Sequence, residues 1–166
     1  MFSDIRALSI DNKKEIIPLI RACILNRDEL HIGELVANER NVYSFFECEI
    51  RPIIDQKNPI LGMYKDGNLI GLSCCLTIFN QLYELKHSIA LGTVTLIHPS
   101  HRQKGVGTQL RTAINKELKN LGIEKFIFEI KQKNTASLKN AQKIAQDKKI
   151  DAKLISLRFQ VDNNVY

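Results

Sequence analysis

Apolar residues along this chain alternate between two spacings. Between residues 5 and 10 they fit a strand, and from Ile16 they recur as Ile16, Ile17, Ile20, Cys23 and Ile24, one side of a helix. Asp11 is placed to cap that helix, and Pro18 inside it predicts a kink or a late start. A short helix is predicted over 28–37. A further one over 42–51 sets Tyr43, Phe46 and Ile50 on one stripe and stops at Pro52. The period then changes. Residues 60–65 and 68–79 read as strands around Asp66-Gly67, a two-residue hairpin signal. After a turn over 80–85, a long strand is predicted over 88–97.

Helical spacing returns with Val106, Leu110, Ala113, Ile114, Leu118 and Leu121, and Gly122 is the expected C-cap. The run 123–130, with Phe126, Ile127 and Phe128 in succession, reads as a strand central to a sheet. A helix over 134–146 and a strand over 153–161 complete the order β-α-α-(α)-β-β-β-α-β-α-β. With no linker and no internal repeat, the reading is one α/β domain over 1–166.

Within this order, the segment from His98 to Leu110 (HPSHRQKGVGTQL) carries the most specific chemistry. It joins the β-branched run Val94, Thr95, Leu96, Ile97 to a helix. N–H groups at a helix start lack intrahelical partners and sit in a partial positive potential, so such a turn can hold a phosphate. Gly105 and Gly107 carry no Cβ to keep an anion from the backbone, and Arg102 and Lys104 add formal charge. The turn is neither a dinucleotide fingerprint, which needs a third glycine, nor a Walker loop, which needs GK[ST].

The composite of strand, Pro99, Arg102-x-x-Gly105-x-Gly107 and helix resembles the acetyl-CoA-binding motif (R/Q-x-x-G-x-G/A) of the GNAT superfamily of N-acetyltransferases. The order of elements is also the GNAT order. The resemblance implies an α/β (α+β) fold with a mixed, mostly antiparallel central sheet flanked by helices, and acetyl-CoA as cosubstrate without a metal. It implies that the pantetheine arm runs along the backbone of Leu96, Ile97 and His98. The pyrophosphate would lie on the turn of Arg102, Gln103, Lys104, Gly105, Val106, Gly107 and Thr108. Asn134 would contact the pantetheine arm, with Ser137 in the turn that follows; capping its own helix is an equal role for Asn134.

Three departures bear on mechanism. Where many members carry a tyrosine as general acid, seven residues after the Asn, this chain has Ala141, and the Gly-Phe pair that usually closes the same helix is absent. Where many place a carboxylate midway along the fourth strand, it has Gly92, Thr93 and Val94. Thr93 is a poor proton acceptor, able at most to orient a water. Glu84 and His98 join it as weak acid–base candidates, with His87, Glu47 and Glu49 behind them, each read more readily as a surface residue. The implied activity is direct acetyl transfer to a primary amine of a small molecule or protein. The alternative is a catalytically silent acyl-CoA-binding sensor.

Composition changes this picture little. The chain has 166 residues, 44% hydrophobic and 25% charged, enough for a core and too varied for disorder. Neither a bilayer-spanning run nor a signal-peptide pattern is read, so no membrane partner is expected. Four cysteines without metal-ligand spacing read as buried thiols of a reducing cytoplasm. The net charge of +6 comes from lysines concentrated between Lys116 and Lys153, which read as a solvated face; nucleic acid is not the expected partner. One clear strand after the last helix, where the family usually has two, suggests a homodimer completing the sheet.

Overall fold

The computed structural model describes residues 4–25, 38–78, 89–123, 125–128 and 138–139. The predicted elements over 28–37, 80–85 and 153–161, and all but residues 138–139 of the predicted helix over 134–146, lie outside these residues. Five strands form one sheet in the order β1-β2-β3-β4-β5: β1 (Asp4–Ala7), β2 (Ile60–Lys65), β3 (Asn68–Ile78), β4 (Ile89–Ile97) and β5 (Lys125–Phe128). The first three pairings are antiparallel and β4 with β5 is parallel. This is the mixed, mostly antiparallel sheet flanked by helices that the sequence led us to expect.

One face carries α1 (Lys13–Leu25), α2 (Glu39–Phe45) and α3 (Arg51–Asp55). Ile16, Ile20, Cys23, Val42, Phe46 and Ile50 pack there on Leu72, Cys74 and Leu96. The other face carries α4 (Val106–Asn120), whose Val106 and Leu110 cover Met63 and Ile70 and whose Ile114 and Leu118 cover Cys75 and Ala90.

Ser9, not Asp11, caps the entry to α1. Its hydroxyl accepts from the Asp11 N–H at 3.2 Å, the Asn12 side-chain oxygen accepts from the Ser9 N–H at 2.9 Å, and a 3-10 turn (Ile10–Asn12) leads in. Pro18 stays inside α1 on its exposed side, while Ile16, Ile17, Leu19 and Ile20 are buried around it. Pro52 does not stop the third predicted helix either. A π turn (Phe46–Ile50) widens the backbone, and Pro52 enters the first turn of α3, where a missing N–H costs least. Within α2 the buried stripe is Val42 and Phe45, continued by Phe46, and Tyr43 faces solvent, 50% exposed.

The hairpin forms as read, with Lys65 opposite Asn68 and positive φ at Asp66 (50°) and Gly67 (77°), as a type I′ turn requires. Gly122 ends α4 with φ 72°: its N–H bonds the Lys119 carbonyl and the Ile123 N–H bonds the Leu118 carbonyl, a Schellman closure. Leu121 lies past the buried stripe, 46% exposed. β5, expected at the centre of the sheet, ends the strand order among the described residues, and its Ile127 is 52% exposed. Its apolar run packs Phe126 toward α4, and the adjoining position belongs to the opposite face. Among the described residues no helix is long and apolar enough to cross a membrane.

Candidate functional site

The site is built where β4 ends and α4 begins. Val94 pairs with Cys74 and Gly92 with Cys75, so Thr93 is an extra residue on β4, a β-bulge. The parallel pairing of β4 with β5 runs from Ile89–Lys125 to Gly92–Phe128 and stops at the bulge. Beyond it, among the described residues, β4 is paired on its β3 side alone. The His98 N–H bonds the Ile70 carbonyl of β3 at 2.9 Å. In a trans peptide C=O and N–H point opposite ways, so the Ile97 carbonyl faces away from β3.

After Ile97 the chain makes a 3-10 turn (Pro99–His101), extends at Arg102 (φ −68°, ψ 159°), and takes positive φ at Gln103 (58°) and Gly105 (80°). Such backbone reversals aim N–H groups into a common concavity. Gly105 is the N-cap of α4 and offers no side-chain hydrogen bond; the first intrahelical bond runs from the Gln109 N–H to the Gly105 carbonyl at 3.0 Å. The amides of the first turn therefore precede the intrahelical ladder. The glycine at 105 is required by its φ, not by crowding, because a Cβ there would find only Gln109 Nε2 at 3.8 Å.

Gly71 of β3 has the opposite reason. A Cβ on it would stand 3.0 Å from Leu110 Cδ1, 3.0 Å from Val106 Cγ1 and 3.2 Å from the Leu96 carbonyl oxygen. Its bare backbone lets the first turns of α4 sit directly on the sheet. This residue was missed in the sequence, although an isolated glycine within an apolar strand is a recognised sign of close backbone approach.

Both cations of the turn are folded back onto the chain. Arg102 Nε donates to the Ile97 carbonyl at 3.3 Å, and Lys104 Nζ donates to the Ser100 carbonyl at 2.7 Å. Cys23 Sγ, from α1, reaches the same Ile97 oxygen at 3.3 Å. Burial raises the Cys23 thiol pKa, and the Arg102 guanidinium beside it opposes that rise. His98 caps the 3-10 turn: its Nδ1 lies 2.8 Å from Ser100 Oγ and accepts from the Ser100 N–H at 3.3 Å. Desolvation lowers the His101 pKa, nearby Lys104 and Lys65 act in the same direction, and the Asp66 carboxylate opposes them.

The remaining candidates fall apart in space or lie beyond view. Glu84, His87, Asn134 and Ser137 are outside the described residues. Thr93 is located by its backbone bulge. Glu47 accepts from Arg51 at 2.7 Å and Lys13 at 2.8 Å, and these partners hold its carboxyl below the usual carboxylate range, a poor state for taking a proton. Among the described residues no three His, Cys, Asp or Glu side chains gather as metal ligands.

The sequence pattern of the acetyltransferase (GNAT) family matches residues 24–145, across the bulged strand, the turn and α4. The chain belongs to the GNAT acetyltransferase family. Solved structures agree on the fold. An integron cassette protein from the mobile metagenome of V. cholerae superposes with a TM-score of 0.67 at 14% identity, covering 98% of this chain and 94% of that one. A GNAT family acetyltransferase of Staphylococcus aureus gives 0.60 at 18% identity, covering 97% and 100%. Glucosamine-6-phosphate N-acetyltransferase of Arabidopsis thaliana gives 0.58 at 18% identity, covering 98% and 100%. No curated protein matches the chain in sequence.

Proposed function

We propose that this GNAT protein transfers the acetyl group of acetyl-CoA directly to a primary amine. Acetyl-CoA, the cosubstrate of the family, supplies an activated acyl carbon as a thioester. The rest is the work of this chain. The amides from Gln103 to Thr108 hold the diphosphate at the start of α4, where unpaired N–H groups and the helix dipole favour an anion. The backbone of β4 past the Thr93 bulge, paired on one side only among the described residues, offers its outward N–H groups, and the carbonyls other than that of Ile97, to the extended pantetheine arm. The bulge itself redirects the strand next to the reacting end of that arm.

One observation carries the reading: Gly105, in a left-handed conformation that a side chain disfavours, opens α4 without a capping side chain directly after a bulged strand. Titration calorimetry with CoA and acetyl-CoA tests it. The expectation is micromolar binding by the native chain and loss of that binding in a folded Gly105→Glu, Gly107→Glu double variant. Unchanged affinity in the double variant removes the diphosphate assignment. A panel of amines (polyamine, amino sugar phosphate, aminoglycoside, peptide N-terminus) then tests turnover. Ala141 and the absence of a carboxylate from β4 support the silent acyl-CoA sensor as the second reading, and CoA binding with no acetylation across the panel would favour it.

A further inference from the structure

The Nε of Arg102 reaches back to the strand that the turn has just left, donating to the Ile97 carbonyl at 3.3 Å. We infer that Arg102 is a positioning residue. It clasps the Ile97 carbonyl together with Cys23, fixing the turn between β4 and α1, and is not itself a ligand of the diphosphate. The inference rests on the diphosphate site proposed above and assigns a separate role within it.

Three observations support the clasp. Arg102 Nε and Cys23 Sγ converge on one oxygen, each at 3.3 Å, and so fill both lone pairs of the Ile97 carbonyl. That carbonyl faces away from β3, so β3 gives it no hydrogen bond, and an interior C=O left without a donor is costly. Cys23 is fully buried in α1, so Arg102 links three elements: the end of β4, the turn itself and the helix layer on the far face. Immediately after Arg102 the backbone enters its two left-handed positions, Gln103 and Gly105. Holding residue 102 therefore fixes where the following amides point.

The clasp needs a donor of sufficient reach, whereas a phosphate ligand needs a charge. Arg102→Gln keeps an N–H donor and removes the charge; Arg102→Ala removes both. The expected result is that Arg102→Ala raises KM for acetyl-CoA roughly tenfold with a much smaller change in kcat. Arg102→Gln should recover most of that loss, and the ionic-strength dependence of CoA affinity should be the same in Arg102→Gln as in the native chain. If Arg102→Gln loses affinity as Arg102→Ala does and its salt dependence flattens, Arg102 contacts phosphate and the inference is wrong.

A second measurement needs no cofactor. In a Cys48→Ser background, the clasp predicts that Arg102→Ala speeds alkylation of Cys23 at least several-fold while Arg102→Gln does not. Equal Cys23 reactivity in all three proteins overturns the clasp. Absence of CoA binding by the native chain would overturn the proposed function alone and leave this thiol test standing.

Discussion

Replacing Gly71 with alanine tests whether the diphosphate site depends on how closely α4 lies on the sheet. The new Cβ would sit 3.0 Å from both Val106 Cγ1 and Leu110 Cδ1 and 3.2 Å from the Leu96 carbonyl oxygen. Ordinary carbon–carbon contact is about 3.5–4.0 Å, so the helix must lift by roughly half an ångström or its side chains must leave their rotamers. Val106 and Leu110 are buried, and the Leu96 oxygen belongs to a paired strand, so none of the three yields freely. Overpacking of this kind costs about 1–3 kcal/mol. For a chain of this size that lowers Tm by roughly 2–4 °C per kcal/mol. Because Val106 is the first residue of α4, relief by lifting the helix moves the amides of residues 105–108. CoA affinity should then fall by up to about tenfold, equivalent to about 1.4 kcal/mol. Val106→Ala removes one clashing methyl, so the two substitutions together should cost less than their sum, by about 0.5–1 kcal/mol. Thermal unfolding and CoA titration on the two single variants and the double variant measure all of this. Additive effects, or a Gly71→Ala protein with native Tm and native affinity, would refute the reasoning.

Other outcomes separate stability from binding. Gly105→Ala and Gly122→Ala both force a side chain into positive φ, at 80° and 72°, and each should cost about 1–2 kcal/mol in unfolding experiments; only the first should also weaken CoA binding. Tyr64 donates its hydroxyl to Glu15 and is buried; desolvation and this bond push its pKa up from 10.0 to about 12. Its contribution to stability is complete below pH 10 and is lost as pH rises toward 12, so Tyr64→Phe should flatten the alkaline limb of a stability–pH profile between those values. Of the four free cysteines, Cys48 is exposed and the others are buried, with Cys75 raised by burial to about 12. A thiol reagent should therefore modify one cysteine quickly in the native protein and four after unfolding. Rapid reaction at two or more would contradict the packing described.

The order of elements, the hairpin and the glycine turn were legible because each rests on local chemistry. Asp66-Gly67 demands positive φ, Gly122 closes a helix, and Val106, Leu110, Ile114 and Leu118 keep a helical period. What the sequence hid was set by tertiary context. Pro52 looks like a stop, and only the π turn ahead of it shows how the helical run continues. Asp11 and Ser9 are both acceptable caps, and the choice falls to the residue whose hydroxyl meets the incoming N–H groups. The continuous apolar run of β5 suits a strand covered on both sides, whereas among the described residues it ends the strand order. At the site, Arg102 was legible as a charge but not as a donor to its own strand. Its partner Cys23 is 74 positions from the carbonyl they share, and no spacing rule links them.

The extra residue at Thr93 also inverts parity along β4. Ahead of it, even-numbered Ala90 faces α4; behind it, odd-numbered Ile97 does, and even-numbered Leu96 turns to the opposite layer. The strand thus reads in two frames joined at one position. Removing a single residue there would carry Leu96 out of one interior and into the other. A point substitution at this position and a one-residue deletion are therefore different kinds of injury, the first local and the second a reversal of everything downstream to the turn.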